Sequence, residues 1–379
     1  MKKKNLTIFL LSSLLSIFIL YFLFFLKIYF EGLEKVPYLL KTKETLEFHK
    51  KYSQKLHHLR NTHGRWDFGK LPENYLFTSI NKFSNDKTNI LLQGDSWIEA
   101  INLEKESLNL INKFAKKNNI GIINAGVTSF SPSLMKLQYE ILEKDFNIRP
   151  NIVVAYIDQT DIGDELCRYK NRRVFNDSGK LIGINKENFT RATFDYTRIY
   201  NISEIVLSNN SKFKKIFNLT NFFIIYQPKR FINKIDSILT YGWRNRNVSK
   251  CLFGDIRKYL IQSNISQIKY FQSRVVDYIE LLLSKKYIEK IILVTFPHKN
   301  HLLVNQNDES YYTVNVSEAV SNLVTNNNKI VHLDFSKLIS ENKVIVPNDL
   351  FILDDPGSHL KPKYHSNIFT RHIIDLLKD

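Results

Sequence analysis

Cysteine is nearly absent from this chain: Cys167 and Cys251 are the only two in 379 residues. One disulfide is the most they can make, and their spacing does not decide whether they do. Neither a CxxC pair nor a Cys/His cluster is present, so zinc has no ligand set here and no metal is expected. Acidic residues are also short, 37 against 54 Lys and Arg, which leaves a formal net charge of +17. Internal repeats are missing, which excludes a repeat array. With 44% hydrophobic and 13% aromatic residues, the chain can bury a full core and should form one large domain with additions.

What is present at the N-terminus limits how the charge can be used. Met1 to Lys4 is basic, and Asn5 to Leu26 then runs without a charge, long enough to cross a bilayer as a helix. A cleaved signal peptide would have a shorter apolar region ending in small residues, whereas this one ends in Phe24, Phe25 and Leu26. An uncleaved anchor is expected, with Lys2, Lys3 and Lys4 in the cytoplasm and everything after about Phe30 outside it. A domain placed there rarely meets nucleic acid, and no compact basic motif appears, so nucleic acid is not an expected partner. Anionic lipid head groups or an acidic polysaccharide fit the charge better.

The segment Asn89 to Ala100 (NILLQGDSWIEA) carries the chemistry. Ile90 to Leu92 reads as the end of a buried strand, Gly94 turns the chain, and a helical spacing begins at Trp97. Ser96 therefore falls at the carboxyl edge of a sheet, where open α/β folds bind ligands, facing the first amides of a helix. Alone, Gly-Asp-Ser also describes a turn with a helix cap. A second strand follows at Ile120 to Val127, then a helix from Ser129 to Leu142 with Pro132 in its first turn. A third strand, Ile152 to Ile157, is apolar throughout and opens into Asp158, Gln159, Thr160 and Asp161. Ile291 to Phe296 and Val331 to Asp334 read as further strands, and a helix from about Lys363 to Leu377 closes the chain. Strand, helix, strand in succession predicts a parallel sheet with crossover helices.

The order of these blocks resembles the SGNH or GDSL hydrolase superfamily over roughly Thr88 to Asp379. The resemblance implies an α/β fold, a flavodoxin-like three-layer α/β/α sandwich with a parallel sheet. QGDSWIEA places the nucleophile on Ser96. INAGVTSFSP carries an oxyanion-hole glycine onto Gly126, and the Ser96 amide would join it. VVAYIDQTDIGDE departs from the family's Gly-x-Asn-Asp, leaving Thr160 or the Gln159 carboxamide as side-chain donor. DDPGSHLKPKYH supports His359 as general base. Pro356 holds the family's place for the acid, so Asp355, or Asp354 as the alternative, must supply it. Imidazole near neutral pH removes the serine proton, and a carboxylate on its other nitrogen fixes the tautomer. Otherwise His359 is a surface residue before a helix, and Asp158 with Asp161 forms a turn and helix cap.

The remaining segments carry less. Residues 1–30 read as tip and anchor, 31–87 as a stalk and lead-in, and 88–379 as the hydrolase domain with a helical insertion at about 170–288. His57 and His58 read as solvated stalk residues and Arg65 to Asn85 as a loop. His298 and His301 follow a strand and are candidates for a rim contact. In the insertion, Phe213 to Ile238 and Ile256 to Lys285 have helical spacing, and Trp243, Arg244, Arg246 and Tyr259 would suit sugar rings and acidic groups. The expected activity is a serine ester hydrolase or acyl transferase on O-acyl groups of cell-surface glycans, needing no cofactor. The alternatives are a catalytically degenerate scaffold that binds or assembles polysaccharide, and a membrane-proximal lipase or phospholipase.

Overall fold

The computed structural model describes residues 3–36, 39–60, 75–185, 196–224, 264–296, 315–323, 327–335, 337, 350–352 and 359–378. The chain divides into two compact units, Tyr52–Lys186 with Lys250–Asp379, and Met1–Lys51 with Glu187–Ser249.

The larger unit is mixed α/β around a six-stranded sheet. Its strands are β1 (Thr78–Asn81), β2 (Asn89–Gln93), β3 (Gly121–Asn124), β4 (Ile152–Asp158), β7 (Lys290–Phe296) and β8 (Ile330–Asp334), in the order β1-β3-β2-β4-β7-β8. A short hairpin, β5 (Arg173–Phe175) with β6 (Leu181–Ile184), stands apart. All pairings in the large sheet are parallel except β1 with β3. The five parallel strands thus lie second-first-third-fourth-fifth, a doubly wound order whose direction reverses between β2 and β4, where such sheets bind ligands.

Composition explains the strands. From Val153 to Asp158 every residue of β4 is buried, as expected of a strand covered on both faces, and the strand runs on into α6 (Gln159–Gly163). On one face, Ile90, Leu92, Val154, Tyr156, Ile292 and Val294 join Trp97, Ile101 and Phe114 from α3 (Ser96–Leu103) and α4 (Lys105–Lys117), and Phe369 and Ile373 from the C-terminal helix. On the other lie α5 (Pro132–Phe146) and, later in the chain, the helix Ile265–Leu283; Gln93 at the end of β2 is fixed between them. Its amide donates to Met135 O at 3.1 Å and Gln138 Oε1 at 2.8 Å, and its carbonyl accepts Tyr278 Oη at 2.8 Å.

Three sequence expectations are corrected here. The stretch read as a loop from Arg65 to Asn85 contains β1, whose four residues are too few to show a period. The single helix expected from Trp97 breaks at Glu104, which is extended at φ −90°, ψ 110°. His57 and His58 are not solvated: both are buried, at 6% and 4% exposure.

The smaller unit holds α1 (Lys3–Glu31), which is apolar and long enough to cross a membrane. It also holds α2 (Lys43–Ser53) as far as Lys51, α7 (Tyr196–Leu207) and α8, residues 212–224. Ile28, Val36, Ile202, Ile216 and Leu219 form its core. Cys167 in the larger unit is disulfide-bonded; the sequence offers one other cysteine, Cys251, which lies outside the described residues.

Candidate functional site

β2 delivers Ser96 to the reversal point of the sheet. Gly94 turns the chain at φ 153°, and a side chain there would meet Tyr156 Cβ at 2.9 Å and Tyr156 O at 3.0 Å, so only glycine fits. Asp95 then caps α3 by accepting from Trp97 N at 2.9 Å, and Ser96 is the first helical residue. Being at that position, Ser96 has an amide outside the helical ladder, and among the described residues it donates to no acceptor.

His359 comes from the far end of the sequence. The Phe351–Leu360 bridge, with Ile352 N donating to His359 O at 2.9 Å, holds its backbone ahead of the C-terminal helix. Its Nε2 lies 2.5 Å from Ser96 Oγ, and its ring stacks on Trp97 at 6.1 Å between centroids. The hydroxyl of Ser96 and a base are therefore in hydrogen-bond contact across 263 residues of chain. Asp354 and Asp355 lie outside the described residues, as do His298, His301, Trp243, Arg244, Arg246 and Tyr259.

A set of buried acids adjoins this pair. Asp95, Asp158, Asp161 and Asp164 are between 0% and 4% exposed. Burial, followed by the charge of Asp158, pushes the Asp95 carboxyl well above the usual range, and it hydrogen-bonds to Asp158. Asp158 is raised less. Its Oδ1 accepts from Thr160 N at 2.7 Å, Thr160 Oγ1 at 2.6 Å and Asp161 N at 3.2 Å, and the nearby His359 also favours its charged form. Of the pair, Asp95 is raised the more, because Asp158 has the hydrogen bonds that favour its charged form. Burial pushes Asp161 well up, and Asp164, though paired with Arg168 at 3.1 Å, rises to about 7. Among the described residues no three His, Cys, Asp or Glu side chains converge on a metal position.

The expected oxyanion donors fall differently. Thr160 Oγ1 gives its one proton to Asp158. Gln159 is buried, and its carbonyl accepts from Val316 N at 2.8 Å, which ties the end of β4 to the helix Val316–Ser321. Gly126 N donates to Asn124 Oδ1 at 2.8 Å. Gly126 is required for another reason: a Cβ there would stand 2.4 Å from Glu99 N and 2.7 Å from the Ile98 carbonyl carbon. Asp158 and Asp161 do form the helix cap that their spacing allowed, as a reciprocal capping box.

Sequence reasoning missed the residues that hold the loop after β3. Arg60, 2% exposed, donates to Gly126 O at 2.8 Å, Asn124 O at 2.8 Å and Thr78 Oγ1 at 2.7 Å. Burial lowers its pKa to about 10. Glu99 from α3 accepts from Thr128 N at 2.8 Å, and His58 Nε2 lies 2.6 Å from Thr128 O. The next residue, Ser129, is forced left-handed at φ 64°, and among the described residues its amide has no acceptor. A non-glycine residue in that conformation is uncommon, and such residues collect at functional sites. No pattern in the sequence marks it.

No protein-family model matches the chain. No curated protein matches it either. Among solved structures, a catalytic mutant of an acetylxylan esterase from Geobacillus stearothermophilus aligns with TM-score 0.37 and 12% identity, over 79% of this chain and 96% of that one. That likeness is too slight to bear on activity.

Proposed function

We propose that the chain is a serine ester hydrolase or acyl transferase of the SGNH type, with a flavodoxin-like three-layer sandwich, acting outside the cytoplasm. The observation that carries this reading is the 2.5 Å contact between Ser96 Oγ and His359 Nε2 at the switch point of the sheet. In the reaction, His359 takes the Ser96 proton as the hydroxyl attacks an ester carbonyl. The alcohol leaves with that proton, and water or a second hydroxyl then resolves the acyl-enzyme. The Ser96 amide, at the positive end of α3, and the Ser129 amide are the donors for the tetrahedral oxyanion, each on the order of 3 kcal/mol. Asp355, or Asp354, is the acid on the other imidazole nitrogen by the resemblance. Asp158, whose charged form the nearby His359 favours, is the described acid that acts beside the pair.

For substrate, we infer O-acyl groups on a cell-surface glycan. The support is an apolar N-terminal helix able to span a membrane, a formal charge of +17 suited to acidic polymers, and a disulfide-bonded Cys167, which belongs to an oxidising compartment. The degenerate-scaffold reading draws on one observation, the commitment of Thr160 Oγ1 to Asp158 in place of an oxyanion donor.

The test is hydrolysis of a short-chain aryl ester by the detergent-solubilised chain beside Ser96→Ala, both checked for folding, with fluorophosphonate labelling of Ser96. Loss of turnover and labelling in the variant alone supports the esterase. Absence of both in the wild type moves the assignment to a polysaccharide-binding scaffold. Release of fatty acid from phospholipid in preference to acetate from acylated glycan would make it a lipase.

A further inference from the structure

The membrane contact of this chain does not end with α1. α8 packs beside the anchor at levels that a bilayer should occupy. Lys212 lies over the Tyr29 ring at 5.2 Å. The adjacent Phe213 meets Phe25, one turn back along α1, at 5.4 Å between centroids, and Phe217, one turn further along α8, meets Tyr21 at 6.3 Å. Phe223 then contacts Phe24 at 5.1 Å. Along α1, Tyr21 is six residues before Lys27, the first charge after the apolar run, or about 9 Å deeper at 1.5 Å per residue. Since the uncharged run Asn5–Leu26 is about the length that the hydrocarbon layer requires, Tyr21 and the Phe217 beside it both fall beneath the head groups.

The two sides of α8 agree with that depth. Ile216, Leu219 and Thr220 are fully buried in the core of their own unit, while Phe213 and Phe217 are 63% and 45% exposed. These two rings continue the bare apolar surface of α1, where Phe18 and Phe22 are 66% and 52% exposed. A helix facing water has no reason to present two phenylalanines on its outer side. Lys212, Lys214 and Lys215 gather at its start, with Lys212 over Tyr29 at the level of the head groups, where lysine ends reach lipid phosphates.

We propose that α8 is a second membrane element: it enters the extracytoplasmic leaflet beside the anchor, with Phe213 and Phe217 in the acyl chains and the three lysines among the head groups. This rests on the reading of α1 as a membrane span, and the test separates the two. The full chain, carrying a nitroxide at Phe217→Cys, is reconstituted in vesicles of phosphatidylcholine with a minority of phosphatidylglycerol. Oxygen and a water-soluble nickel chelate then compete as relaxing agents. Reference labels sit at Leu15→Cys in α1 and at Ile182→Cys, an exposed site of the other unit; the disulfide-bonded Cys167 takes no label. The expected result is an oxygen-to-nickel accessibility ratio at 217 several-fold above that at 182 and approaching that at 15. Phe213→Cys gives the same order at a shallower depth and serves if Phe217→Cys folds poorly. A label at 217 open to nickel while 15 is closed to it overturns the second element alone. A label at 217 closed to both agents means that protein covers it, which also overturns the proposal. Nickel access at 15 removes the anchor, and this inference with it.

Discussion

His365 makes the stability of the larger unit depend on pH by an amount that can be worked out. It is 3% exposed, with Nε2 3.0 Å from Trp97 O and Nδ1 3.0 Å from Ser107 Oγ. The Nε2 proton is donated to the carbonyl and Nδ1 accepts from the hydroxyl, so the ring is neutral and of one tautomer. Burial lowers its pKa from 6.5 to about 4. Because the folded value is the lower one, the unfolded chain binds more protons between pH 6.5 and 4, and stability falls as the pH drops through that window. Between pH 7.5 and 5.0 this one group should remove about 2 kcal/mol. The perturbation is His365→Gln, whose amide can still donate to Trp97 O and accept from Ser107 without titrating. Urea unfolding of the detergent-solubilised chain at the two pH values measures the difference. The wild type should lose about 2 kcal/mol more than the variant on acidification; equal losses would refute the neutral buried imidazole. Other titrating groups, His58 and Asp164 among them, are common to both proteins and drop out of the comparison.

Other outcomes follow from the same structure. Asp164 is raised by burial to about 7, so the folded chain binds the extra proton between pH 4 and 7 and stability declines as pH rises through that window; Asp164→Asn should flatten that arm of a melting-temperature profile. Arg60→Met leaves Gly126 O and Asn124 O without their buried donor and should cost about 3 kcal/mol or more in urea unfolding. Gly126→Ala pushes a methyl into the Glu99 amide and the Ile98 backbone; its turnover of an aryl ester should drop at least tenfold even where the protein remains folded. Asp158→Asn removes the carboxyl group that interacts with His359, so kcat should fall with KM little changed, and an unchanged kcat would remove Asp158 from the chemistry.

The strands that a reader of the sequence finds most readily are those buried on both faces, and β2, β3, β4 and β7 are of that kind, whereas β8 at the far edge is only part-buried. Their contiguous apolar runs leave little choice of structure, and Ser96 falls at the end of the first because Gly94 is where such a run must turn. β1 escaped notice because an edge strand of four residues mixes Thr78, Ser79, Ile80 and Asn81, and antiparallel pairing with β3 supplies what its sequence does not. His57, His58 and Arg60 read as stalk because charge and imidazole on a helical spacing suggest solvent. The burial of His58 and Arg60 depends on carbonyls of the 124–128 segment, more than 60 residues away, and no local pattern announces an acceptor at that distance. Ser129 is hidden for a similar reason: a left-handed serine has no signature, whereas a glycine in its place would have drawn the eye. The Ser96 and His359 pairing is legible only through the order of the blocks, since neither residue is marked by its neighbours alone.

The acids beside Ser96 have a meaning for descent. Four carboxyls taken out of water with few cations to answer them oppose folding. Amides of the same shape at Asp161 or Asp164 would hold the chain together better. Selection for foldedness alone would therefore erode the set within a lineage that had abandoned ester chemistry, and the scaffold would drift toward asparagine there while its apolar strands stayed as they are. Where Ser96 and His359 act as proposed above, Asp158 beside them is held against that drift, so this one position reads out the proposed reaction.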